Sequence, residues 1–242
     1  IGLPGTLSIM MNLEGAACVT DNFSLLRTYY SRGVRAMSLT HNQINIFAQG
    51  CAVPSGRGLT DIGKRLIREI DTYHMILDLA HINERCFFEI LEMTCRPVIV
   101  SHSNARKICN SLRNLTDTQL LSLAEKDGVV GLNCLGFLID DVFENQTLER
   151  LLDHLDYMVD LIGIDHVGFG PDYNDYMINE TRKNLESSPL FKGKLQYAIG
   201  ADRVSMTQTV VKKLISRGYT ERDIRKIMGG NFLRIYREGL PE

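Results

Sequence analysis

Short strand-like apolar runs alternate with helical patterns along this chain, an order that predicts a parallel β/α architecture rather than a sandwich or a helical bundle. Six runs read as strands: residues 6–13, 34–40, 75–79, 97–100, 129–133 and 167–170. The segments between them carry helix signals. Residues 22–32 follow Asp21 as a cap and stop at Gly33, and residues 60–73 start at Thr60 with Ile62, Leu66, Ile67, Ile70 and Tyr73 on one face. Thr116 and Gln119 form a capping box, with Gly128 closing the helix they open. Leu148, Leu151, Leu152, Leu155, Met158, Val159 and Ile162 draw another buried stripe. Met206, Val210, Val211, Leu214 and Ile215 share a further helix, and Thr220 caps a short one running to Met228.

With 242 residues, 44% of them hydrophobic, the chain can bury one substantial core, and a single domain over residues 1–242 is the expectation. A formal charge of -2 supplies no basic excess, which argues against nucleic acid or an anionic membrane surface and for a small-molecule partner. No apolar run approaches the ~18 residues of a membrane span. The six cysteines lie scattered without a C-x-x-C pair, so free thiols in a reducing compartment are expected, and the absence of a signal at the start gives a cytoplasmic location as the expectation. The opening Ile1-Gly2-Leu3-Pro4 has neither an initiator Met nor a cationic leader, and we expect the numbering to begin inside a longer protein.

The chemistry lies where the strands stop. In order, the runs end in Glu14, His41, His81, His102, Asn133 and Asp172, and in a β/α barrel the C-terminal ends of the strands converge on one mouth. A single histidine after a strand is more often a capping or packing residue; recurrence in successive units is what carries the metal reading. Glu14, His81 and His102 offer the carboxylate oxygen and imidazole nitrogens that zinc takes, with room for a water. Such a centre acidifies water and polarises a carbonyl, which makes amide or ester hydrolysis the natural reaction. Asp172 is the candidate for moving protons. Two irregular segments, residues 42–58 and 171–200, follow strand ends, where barrel enzymes keep their site loops.

The runs Asn12-Leu13-Glu14-Gly15, Leu39-Thr40-His41-Asn42, Asp78-Leu79-Ala80-His81, Ser101-His102-Ser103, Arg113-Asn114-Leu115-Thr116-Asp117, His166-Val167-Gly168-Phe169-Gly170 and Gly229-Gly230-Asn231-Phe232-Leu233-Arg234 occur in this order. Together they resemble the successive motifs of the renal (membrane) dipeptidase family. The resemblance implies a (β/α)8 barrel of the metal-dependent hydrolase kind, two zinc ions sharing a carboxylate, a homodimer, and cleavage of dipeptides that include some with a C-terminal D residue. It makes Glu14 the bridging ligand, places His81 and His102 on the second zinc, and sets His41 against the developing oxyanion. It also gives Arg113 the substrate carboxylate and Asp172 the proton of the water. A guanidinium fork suits a free carboxylate, and an oxyanion needs a positioned donor. The competing readings are a solvated loop cation for Arg113 and a turn residue beside Pro171 for Asp172. Asp78 reads as structural or as an outer partner of a metal ligand, and His74 and His166 as packing residues.

Two departures stand out. The family's other zinc is held by a His-x-Asp on the first strand, and no His or Asp precedes Glu14. The one His-x-Asp, His154-Leu155-Asp156, lies in a helix pattern whose residues two apart face nearly opposite ways. We therefore expect the first strand or strands of the barrel to be missing from this sequence. After Asp172 the family's Asp-Phe-Asp-Gly is replaced by Asp172-Tyr173-Asn174-Asp175. Against a dipeptidase stand two alternatives: another metal-dependent amidohydrolase, acting on a lactone, cyclic amide or amino-acid conjugate, and a catalytically impaired barrel serving as a binding protein.

Overall fold

The structure is a computed structural model in which residues 5, 8–53, 56–173 and 196–240 are described. Its chain divides into two compact units, Ile1–Val98 with Tyr236–Glu242, and Ile99–Ile235.

The first unit contains β1 (Met11–Leu13), α1 (Ser24–Ser31), β2 (Val34–Ser38), α2 (Asp61–Thr72), β3 (Ile76–Asp78) and α3 (Glu84–Met93). Its strands are parallel and adjacent in sequence order, with Asn12 opposite Ala36 and Ser38 opposite Asp78. Strands buried on both faces read as unbroken apolar runs. Ala36, Met37, Ile76 and Leu77 are accordingly buried, together with Leu66, Ile67 and Ile70 of α2 and Phe87 and Ile90 of α3. Both of these helices open on side-chain caps: Thr60 accepts from Gly63 N at 3.0 Å and Asn83 from Cys86 N at 2.8 Å. α3 thus starts soon after β3 ends, whereas residues 39–60 separate β2 from α2.

The second unit takes up β4 (Val98–Ser103) from Ile99 onward, then α4 (Asp117–Glu125), β5 (Val129–Leu132), α5 (Leu148–Ile162), β6 (Val167–Phe169), α6 (Thr207–Ser216), α7 (Glu221–Arg225) and α8 (Asn231–Gly239) as far as Ile235. Here too the strands are parallel neighbours in sequence order, Val100 facing Val130 and Gly131 facing Gly168. A Cβ on Gly131 would lie 2.1 Å from the Ser101 carbonyl oxygen, so only glycine lets these backbones close up. Asn231 at the head of α8 donates from one amide nitrogen to the Ile164 and Val167 carbonyls, both at 2.7 Å, tying the helix to the start of β6. No helix among the described residues is long and apolar enough to cross a membrane, and all six cysteines are free thiols.

All six expected strands are present, with shifted ends. β1 is shorter than the 6–13 run, since residues 8–10 are not in a strand and 6–7 lie outside the described residues. β4 is longer than its apolar stretch and carries His102 inside it. The α1 cap position is Phe23, not Asp21, and has no side-chain cap; Asn22 instead accepts from Ser24 N at 3.1 Å. The Thr116–Gln119 capping box forms as read. The left-handed residue that ends α4 is Asp127, at φ +55°, with Gly128 following it and donating to Leu123 O at 2.9 Å. Of the residues expected on α6, Met206 stands at its N-cap position, just before the helix, and Ile215 is 59% exposed. The helix opened by Thr220 turns at Lys226–Gly230, where Gly229 has φ +140°, before α8 resumes. Residues 174–195, most of the second irregular segment and including Asn174 and Asp175, lie outside the described residues.

Candidate metal centre

In the first unit Glu14 leaves β1 and is followed by Gly15, at φ +92°, whose N–H donates to Ser38 Oγ at 2.8 Å. Ala16 N donates to Leu39 O at 3.1 Å, so the turn after β1 is pinned to the end of β2 and the Glu14 side chain is held where it leaves the sheet. His81 follows β3 and sits at φ +67°, a left-handed conformation that is uncommon for a residue with a Cβ. Its carbonyl accepts from Cys51 N at 2.7 Å, which helps hold this strained backbone.

Both ring nitrogens of His81 are directed. Nε2 lies 2.7 Å from Glu14 Oε1, and Nδ1 lies 2.7 Å from Asn42 Oδ1. The His41 ring stacks on that of His81 with centroids 4.1 Å apart. Asp78 is buried with one carboxylate oxygen on Asn12 Nδ2 at 2.6 Å and the other on Ala80 N at 3.0 Å.

In the second unit His102 is buried in β4, with Nδ1 2.8 Å from Ser101 Oγ. Arg113 is 6% exposed, which removes the reading of a solvated loop cation. Its Nη2 reaches the His102 carbonyl at 3.5 Å, while its own carbonyl accepts from Ser103 Oγ at 2.8 Å. Asp172 follows β6 at φ +57°. Its Oδ2 accepts from Asn133 Nδ2 at 3.3 Å and its carbonyl from Tyr197 Oη at 3.3 Å. Asn133 is in turn fixed by Asn104, whose Oδ1 accepts from Asn133 N at 3.0 Å and whose Nδ2 donates to Asn133 O at 2.9 Å. Each site residue read from the sequence thus has a local frame: Glu14, His41 and His81 share one, His102 and Arg113 another, Asn133 and Asp172 a third.

Asn42 and Tyr197 were not among the residues singled out. Asn42 could have been found from its place directly after His41; Tyr197 carries no sequence signal, lying 25 positions from the carbonyl it holds.

Some neighbouring groups can be set aside. Burial pushes the Cys134 thiol up to about 12, so it is an inert neighbour of Asp172 and not a nucleophile. His154 is fully buried, with Nε2 2.8 Å from Ile139 O and Nδ1 accepting from Ala105 N at 3.1 Å, while Asp156 pairs with Arg217 at 2.5 Å. The His154-x-Asp156 pair therefore has no shared direction, as helical geometry requires. His74 and His166 make a 2.8 Å contact with Arg96 and a 2.9 Å contact with the Gly128 carbonyl.

Burial lowers the His154 pKa from 6.5 to about 4. The unfolded chain then binds the extra proton first as the pH falls, so stability is full above pH 6.5 and declines down to about pH 4. The loss is about 3 kcal/mol at 1.36 kcal/mol per pKa unit. Urea denaturation at several pH values should show this slope, and His154→Gln should flatten it between pH 6.5 and 4; an unchanged slope would mean other groups govern it.

Donor atoms suited to a metal are offered by Glu14 and His81 in the first unit and by His102 in the second. Carboxylate oxygen and imidazole nitrogen are ligand types that zinc takes.

Known proteins bear on this arrangement. The chain is 29% identical over 236 residues to Dipeptidase tcpJ of Claviceps purpurea, covering 97% of this chain and 51% of that protein. It is 28% identical to Dipeptidase 3 of Mus musculus, covering 96% of this chain and 44% of the relative. It therefore spans about half the length of the curated relatives it matches. Among solved structures, a metallo peptidase from Rhodobacter sphaeroides liganded with a phosphinate mimic of the dipeptide L-Ala-D-Ala superposes with a TM-score of 0.80 at 28% identity, covering 95% of this chain and 63% of that one. A dipeptidase of family M19 gives a TM-score of 0.80 at 29% identity, covering 95% and 65%. The fold is thus the α/β, parallel-stranded barrel type of these metal-dependent hydrolases. The family profile described as Membrane dipeptidase (Peptidase family M19) matches residues 3–239, nearly the whole chain, and the chain belongs to that family.

Proposed function

We propose that this chain carries the catalytic site of a zinc-dependent dipeptidase. The observation that carries the reading is His81, held in a left-handed backbone with Nδ1 on Asn42 and Nε2 on the Glu14 carboxylate. A ring oriented from behind, with its other nitrogen beside a carboxylate, is suited to serve as a metal ligand. Glu14, His81 and His102 would hold one zinc, with Glu14 shared by a second as the family resemblance implies. When bound, the metal supplies Lewis acidity towards a peptide carbonyl and lowers the pKa of water to about 7.

The chain's own residues do the rest. His41, stacked on His81, donates to the oxygen of the scissile carbonyl as negative charge develops there. Arg113 binds the terminal carboxylate of the substrate. Asp172 takes a proton from the attacking water at its carboxylate and returns it to the leaving amine, with Asn133 holding that carboxylate in place. The metallo peptidase liganded with an L-Ala-D-Ala mimic supports a dipeptide substrate, including a C-terminal D residue. We extend the reading to a homodimer, which sedimentation of the chain would check.

The test is hydrolysis of L-Ala-L-Ala and L-Ala-D-Ala, read as free amine. Turnover that is lost on dialysis against a chelator and restored by zinc is the expected result. Turnover of lactones or N-acyl amino acids with none of either dipeptide would point to a different amidohydrolase.

A further inference from the structure

We propose that Asn42 is a positioning residue that selects the tautomer of His81, fixing the proton on Nδ1 so that Nε2 presents its lone pair beside Glu14. The proposal rests on the zinc reading above, with Asn42 standing behind the ligand.

Two donors converge on one amide oxygen. Asn42 Oδ1 lies 2.7 Å from His81 Nδ1 and accepts from Cys51 Sγ at 3.3 Å, so the amide has its oxygen, not its nitrogen, towards the ring. An amide oxygen can only accept, and His81 Nδ1 must therefore carry the hydrogen. A doubly protonated ring would donate to both oxygens; in the neutral ring, with the proton on Nδ1, Nε2 faces Glu14 Oε1 at 2.7 Å as a lone pair, a pairing that suits a cation held beside the two.

The position of Asn42 is itself fixed. It is buried, its carbonyl accepts from Ala52 N at 3.1 Å, and Gly50 N donates to Gln43 O at 3.0 Å, closing residues 42–52 into a compact loop. A Cβ on Gly50 would fall 2.1 Å from His41 O and 2.3 Å from the Asn42 carbonyl carbon, so glycine is required for this close approach. Cys51, adjacent to that glycine, supplies both the thiol on Asn42 and the N–H on the His81 carbonyl at 2.7 Å. The loop thus grips the ligand's ring and its backbone at once, and the left-handed φ of His81 is the conformation it holds.

The experiment measures zinc affinity of the whole 242-residue chain by competition with a chromophoric chelator, and long-range 1H–15N spectra of histidine in the zinc-loaded protein. Asn42→Leu, which removes the acceptor, should weaken zinc about 10- to 100-fold, the usual cost of losing an outer partner of a ligand. Asn42→Asp, which keeps the acceptor, should bind zinc at least as tightly as the parent and keep the His81 proton on Nδ1. Glu14→Gln is the control on the underlying site. An Asn42→Leu protein that stays folded and binds zinc as the parent does, while Glu14→Gln does not, would overturn the role of Asn42 and leave the metal site standing. If Asn42→Leu fails to fold, an Asn42→Asp protein whose His81 carries its proton on Nε2 overturns the proposal by itself. Zinc binding unaffected by Glu14→Gln would overturn the zinc reading, and this proposal with it.

Discussion

Asp172→Asn should lower kcat for dipeptide hydrolysis by about 100- to 10,000-fold, the range that a positioned acid–base group supplies, with little change in KM. Asparagine is the informative replacement. It tolerates the left-handed φ of +57° as readily as aspartate does, and its side-chain oxygen can still accept from Asn133. The backbone hydrogen bond from Tyr197 to the residue's carbonyl is untouched. What disappears is the capacity to hold a proton. A drop in kcat in a protein whose melting temperature is unchanged therefore reports proton transfer; retained kcat would assign Asp172 to the turn beside Pro171 and leave the proton carrier elsewhere.

Arg113→Ala should reduce kcat/KM for a dipeptide about 100- to 5,000-fold, the scale of losing a buried ionic partner at roughly 3–5 kcal/mol. The same substitution should change hydrolysis of the corresponding dipeptide amide less than about fivefold, because that substrate has no carboxylate for the guanidinium to bind. The pair of substrates separates recognition from stability. Arg113 is buried and its main chain is tied to Ser103, so its loss also disturbs packing, but a packing defect lowers both substrates together. Equal losses on acid and amide would place Arg113 in the scaffold. Arg113→Lys keeps the charge and gives up the bidentate fork, and should fall between the parent and the alanine variant on the acid substrate.

Much of the fold was legible because the alternation of strand and helix is written locally. Burial on both faces makes a parallel strand an unbroken apolar run, and Thr60, Thr116 and Thr220 announce helix starts through caps that need only a residue or three to form. The ends were less legible for the same reason. β4 continues through Ser101, His102 and Ser103 because a parallel neighbour pairs with Ser103, which no property of those polar residues declares. Asp127 and not Gly128 takes the left-handed position after α4, since aspartate also tolerates it.

The candidate site divides along the same line. Glu14, His41, His81, His102 and Asp172 could be picked out by position, each at or beside the C-terminal end of a strand. Their frames could not: Asn42 and His81 are 39 residues apart, Asn133 and Asp172 also 39, and only the folded sheet brings these pairs into contact. Nor does sequence disclose that His81 and Asp172, alone of the proposed site residues, sit at positive φ. Strain of this kind collects where surrounding contacts hold a functional group in place.

The metal centre itself is decided by elemental analysis of the purified chain after zinc loading and desalting, alongside Glu14→Gln and His102→Ala. Zinc retained in stoichiometric amount by the parent and largely lost from both variants is the predicted result. A parent that retains none, or variants that retain as much as the parent, would contradict a zinc site built from Glu14, His81 and His102.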